Sequence, residues 1–212
     1  MYRDEMDALK PEYPEIKLYF NPEFGSGVVL DEVPDCVLEM SDYFICELWG
    51  MRDSKEQTME MHLARMEECA AWSKKVGRAI TFAHPFRDAV NKRIIKVPIV
   101  PWITALEPRK NFREWTREEI FDFYFLDPVV LGKKAAELGV PFEVNGETVH
   151  RIRMTNLIPP MQMLMSGFAK IYEQGCKLIP SSDQHGFVVG SKGAYIFYEM
   201  FDALGISGDD ID

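Results

Sequence analysis

The sequence is poor in cysteine, in basic charge and in long apolar runs, and each shortage removes a class of protein. Its four cysteines (Cys36, Cys46, Cys69 and Cys176) contain no Cys-x-x-Cys spacing. That speaks against a disulfide framework or a thiolate zinc site and predicts reduced, mostly buried thiols of a cytoplasmic protein. Lys and Arg number 24 against 34 Asp and Glu, a net charge of −10. Nucleic acid is therefore not expected as the main partner, since such binding leans on neutralising phosphates with basic side chains. No apolar stretch reaches membrane-spanning length. The opening Met1-Tyr2-Arg3-Asp4-Glu5 is charged where a signal peptide would be apolar. What is present suits an ordered globule: 47% hydrophobic and 12% aromatic residues over 212 positions predict a single α/β domain spanning 1–212.

Strand signals fall at 16–21, where apolar and polar residues alternate, and at 42–49. They recur at 79–83, at 141–146 and in the apolar run 176–180. Between them lie helix signals. Ser54-Lys55-Glu56-Gln57 and Thr116-Arg117-Glu118-Glu119 are capping boxes. Gly77, Gly139 and Gly175 stand where helices should stop, and Pro128 should kink or restart the second helix. Met161, Leu164, Met165, Phe168 and Tyr172 form the core face of a further helix, and a last helix is expected over about 192–204. His62, among charged neighbours on the first long helix, is expected at the surface, as is His150. Residues 94–106, interrupted by Pro98 and Pro101, read as an irregular excursion.

Three times a helix ends on Gly, a short apolar strand follows, and a polar residue arrives at the strand's end. This rhythm predicts βαβ units in a mainly parallel sheet, whose chemistry collects at the carboxyl ends of the strands. Glu23, His84, Asp183 and His185 all fall at such ends. In extended chain Asp183 and His185 would face the same side, offering an oxygen and an imidazole nitrogen of the kind zinc, manganese and iron accept. The plainer alternative for that pair is a capping Asp and a solvated His.

Pro22-Glu23, Ala83-His84-Pro85, Glu143-Val144-Asn145 and Ser182-Asp183-Gln184-His185 stand in one order along nearly the whole chain. In this the sequence resembles the PHP (polymerase and histidinol phosphatase) family of metal-dependent phosphoesterases. The resemblance implies a distorted (β/α) barrel with a cluster of two or three divalent ions, Zn, Mn or Fe, at its mouth. It implies Glu23, His84, Asp183 and His185 as metal ligands, with Asp183 and His185 at the catalytic centre. It also implies hydrolysis of a small phosphorylated substrate, with Asn145 on the substrate side, and Arg87, the nearest basic residue after His84-Pro85, is the candidate to bind the phosphate. Arg87 has the alternative reading of a surface arginine in a loop. The family's opening His-x-His is absent, and Trp49 stands where a ligand His is usual. Glu47, two residues earlier on the same strand face, is either a substitute ligand or an ion-pair partner. The missing motif, with the helix-tail character of residues 1–10, predicts that the opening β/α units are lacking and fewer ions are held. A second chain or a rearranged segment should then cover an open barrel edge. Two alternatives stay open: a catalytically degenerate barrel that binds a metal or anion as a regulatory or structural module, and an amidohydrolase-like enzyme acting on a C–N bond.

Overall fold

The computed structural model describes residues 2–48, 50–95, 111–154, 158–183 and 201–207. Five parallel strands form one sheet in sequential order: β1 Glu23–Phe24, β2 Tyr43–Glu47, β3 Ala79–Ala83, β4 Phe142–Asn145 and β5 Leu178–Ser181. The α/β class and the parallel sheet stand as the rhythm of the sequence predicts. Trp49, most of the 94–106 excursion, His185 and nearly all of the expected last helix lie outside the described residues.

Register explains how the two sheet faces divide. Phe24 pairs with Cys46, Cys46 with Phe82, Phe82 with Phe142 and Phe142 with Leu178. All five are buried, and they run as one apolar line across the sheet. Side chains alternate along a strand, so the neighbouring residues Glu23, Ile45, Glu47, Thr81, Glu143 and Asn145 point to the opposite face. Phe44 shares the apolar side and packs against Trp72 of the helix α3 (Lys55–Val76), with ring centroids 5.0 Å apart.

The helices follow their punctuation. In α3 the Ser54 hydroxyl accepts from the Gln57 main-chain N–H, and Gly77 closes the helix in the left-handed conformation. The Thr116 capping box is complete and opens α5 (Arg117–Tyr124). Pro128 restarts the chain as α6 (Pro128–Leu138), capped by the Asp127 carboxylate. Asp127 is in turn paired with Arg117. The apolar face read around Met161 belongs to α8 (Ile158–Tyr172), where Met163, Leu164 and Phe168 are buried. Shorter helices α1 (Tyr2–Leu9), α2 (Asp35–Met40), α4 (Arg87–Val90) and α7 (Gly146–Met154) complete the set. His150 lies half-buried on α7 rather than free in solvent. Parallel crossovers are right-handed. A strand order that never reverses therefore puts α3, α6 and α8 on one face, where α3 packs on α6 and α6 on α8. Among the described residues no helix is long and apolar enough to cross a membrane. Cys46, Cys69 and Cys176 are buried free thiols, while Cys36 is exposed.

One strand differs from expectation. Residues 16–21 alternate apolar and polar but form no strand, and Ile16 and Tyr19 are more than half exposed. Alternation needs a surface to bury against, and here the chain is held instead by Phe20, whose N–H donates to the Asp42 carboxylate while its carbonyl accepts from the Asp42 N–H. Hydrogen bonding to β2 begins at Pro22, whose carbonyl accepts from the Ile45 N–H.

The close approach of α6 to α8 at Gly132 yields a test. A Cβ on Gly132 of α6 would lie 2.7 Å from the Ile171 carbonyl oxygen and 2.8 Å from its Cα on α8. Backbone cannot move aside as a side chain can, so Gly132→Ala is expected to destabilise the fold by about 1–2 kcal/mol despite the better helix propensity of Ala. Thermal melts check this; an unchanged or raised Tm would show that α6 and α8 are less tightly apposed.

Candidate metal centre

Of three adjacent strands, Glu23 opens the two-residue β1, Glu47 closes β2 and His84 follows β3. Glu47 pairs with Ala83 in the β2–β3 register, and His84 is the next residue. Glu23 pairs with Ile45, two residues before Glu47 on the same face. The three side chains meet: His84 Nε2 lies 3.0 Å from Glu23 Oε1 and 3.5 Å from Glu47 Oε1. One ligand atom from each falls within 4.8 Å of the others. One imidazole nitrogen and two carboxylate oxygens with further positions open is a donor set that zinc, manganese or ferrous iron accepts. The residues present fit such an ion.

A buried scaffold holds the cluster. The His84 main-chain N–H donates to Glu143 Oε2 at 2.8 Å, which fixes the turn out of β3. Glu143 Oε1 accepts from Asn145 Nδ2, and Asn145 Oδ1 accepts from both the N–H and the hydroxyl of Thr148. Asn145 is buried with both ends of its amide engaged, beneath the cluster and within its support. On the other side Glu47 Oε2 accepts from the Ser26 N–H at 3.2 Å.

Arg87, three residues after His84, reaches back over the cluster. Its Nη1 lies 2.9 Å from His84 Nε2 and 3.1 Å from Asp183 Oδ2. Arg87 thus ties Asp183, just beyond β5, to the strand-end group and is no loose surface side chain. Asp183 has φ 45, in the left-handed region. The extended geometry expected from Asp183 to His185 therefore fails at its first residue, and His185 lies outside the described residues. The hydrogen bond to His84 holds the Glu23 carboxyl below its usual range. Burial pulls the His84 imidazole down, but its bond to Glu23 and the charge of Glu143 outweigh that and raise it.

His62 is a correction. Expected at the surface, it is buried 3% exposed on α3 and lines a cavity of about 190 Å³ with Glu47, His84, Arg87, Asp88 and Asn91. Glu60 and Arg65 lie close by in sequence, but Met61 and Leu63 flank it directly and Met59 and Met66 share its helical face, both buried. That i−3, i+4 spacing was the available signal. Burial lowers its pKa to about 4, against partial opposition from the Thr58 carbonyl and Asp88.

The two histidines should therefore separate in titration. In metal-free protein followed by NMR, His62 is expected to titrate near 4 and His84 above 6.5. The sign for stability follows. Above 6.5 His62 is neutral folded and unfolded, whereas below it the unfolded chain gains a proton that the folded one refuses. Stability is then lost as pH falls from 6.5 towards 4, by roughly 3 kcal/mol for this group. A His62 midpoint near 6.5 would contradict the burial.

Comparison with protein-family models, with curated proteins and with solved structures finds no match.

Proposed function

We propose that the chain is a metal-dependent phosphoester hydrolase of the PHP kind, with Glu23, Glu47 and His84 holding a divalent cation. The observation that carries this is the convergence of the three side chains from β1, β2 and β3 onto one point. The family resemblance supplies the reaction class, and the sequential parallel order supports a (β/α) barrel closing around the polar face of the sheet. A bound divalent ion would supply Lewis acidity and a more acidic water molecule. The protein's own part is to orient. Glu143 sets the direction of His84 through its main chain, Ser26 sets Glu47, and Arg87 offers a planar cation to phosphate oxygens. Asp183 holds the guanidinium in place, and His185 joins the centre in this proposal as a further ligand.

One contact favours a second reading. The Arg87 guanidinium nitrogen already stands 2.9 Å from His84 Nε2, so an internal cation faces the acidic residues. In a catalytically inert module that guanidinium would itself be the neutralising charge.

Calorimetry with Mn²⁺ and Zn²⁺, and turnover of an aryl phosphate, separate the two. The hydrolase proposal expects cation binding that His84→Ala and Glu47→Gln weaken by about 10-fold or more. It expects Arg87→Met to keep the ion but lose phosphate affinity by roughly 10-fold. The inert module expects no binding by the wild type and a gain of cation affinity in Arg87→Met. Wild-type protein that neither binds the ions nor turns over phosphate overturns the hydrolase.

A further inference from the structure

The cavity beside the cluster has a wall that the proposed hydrolysis does not use. His62 Nδ1 lies 2.8 Å from the Thr58 carbonyl oxygen. A carbonyl only accepts, so Nδ1 carries the proton and Nε2 is left as a lone-pair acceptor. Nε2 makes no hydrogen bond among the described residues, although the ring is buried and lines the cavity. Opposite in character is Asn91. Its Oδ1 accepts from Arg151 Nη1 at 2.8 Å, which leaves Nδ2 as the amide's donor, and Asn91 lines the same cavity. Asp88 adds a carboxylate. A Cβ on Gly50 would lie 3.0 Å from Asp88 Oδ2, so a glycine there gives the carboxylate its room.

A neutral acceptor and an amide donor in one small polar cavity suit a group that both donates and accepts. A hydroxyl does both. An ammonium group would satisfy His62 and Asp88 but would offer Asn91 nothing to donate to. We propose that this cavity is the subsite for a substrate hydroxyl, and that the substrate class is therefore a phosphorylated polyol. The proposal rests on the phosphoester reading above, with the phosphate at Arg87 and the hydroxyl against His62 and Asn91. The low pKa of His62 agrees with it, since the imidazole remains a neutral acceptor throughout the neutral range.

The test is calorimetry on the full chain with three ligands of similar length: glycerol phosphate, propyl phosphate and aminopropyl phosphate. Glycerol phosphate is expected to bind about 10-fold more tightly than propyl phosphate, and His62→Phe is expected to bring that ratio close to one. If His62→Phe does not fold, His62→Gln and the ¹⁵N resonance of wild-type His62 Nε2 replace it; that resonance should move with glycerol phosphate and stay with propyl phosphate. Equal binding of glycerol and propyl phosphate overturns the subsite and leaves the phosphoester reading standing. A preference that survives in the folded variant overturns the role of His62. Tightest binding of aminopropyl phosphate overturns the hydroxyl assignment. Binding of none of the three overturns both the subsite and the reading beneath it.

Discussion

The pairing of β2 with β3 is the constraint on which the site depends. It sets Glu47 opposite Ala83, so that His84 leaves the sheet one residue later within reach of the Glu47 carboxylate. A slip of one residue in this register would turn Glu47 to the side of α3 and Cys46 to the site face. Such a slip is opposed by the apolar side chains of β2, because Phe44 and Cys46 would lose their burial together. The chemistry of one face is therefore secured by the hydrophobic effect on the other.

Electrostatics then arranges what register has delivered. Glu23, Glu47, Glu143 and Asp183 bring four carboxylates to one end of the sheet, with His84 and Arg87 between them. Such a collection is tolerated only where each charge has partners. Glu143 finds them in the His84 main chain and Asn145, Glu47 in Ser26 and Asp183 in Arg87. Because Glu143 hydrogen-bonds the backbone of His84 and not its ring, the imidazole remains available to the two carboxylates in front of it. The same spot attracts a cation of either kind, a guanidinium from within or a divalent ion from outside.

Legibility of the sequence divides along a physical line. Signals that act within one turn of chain were readable: Ser54, Thr116 and Gly139 mark helix ends because capping satisfies local backbone groups. The strand at 79–83 was readable because five residues bounded by a glycine stop and His84-Pro85 allow little else. The stretch 16–21 misled, since alternation records only that a strand is possible and not that a neighbour exists to pair with it. His62 misled in the opposite sense, because the nearby charges of Glu60 and Arg65 suggest a solvated face while Met59 and Met66 mark a buried one.

By itself the sequence determined the α/β class, the parallel rhythm and the place of His84 just beyond the strand 79–83. All of these follow from periodicity and short-range backbone preferences, which act between neighbours in the chain. Only the tertiary structure decided that Glu47 meets His84, that Arg87 bridges His84 and Asp183, and that His62 lines the cavity beside them. The contact of Arg87 with Asp183, for example, joins residues 96 positions apart. Their distances are set by how strands register and helices pack, which no local pattern encodes.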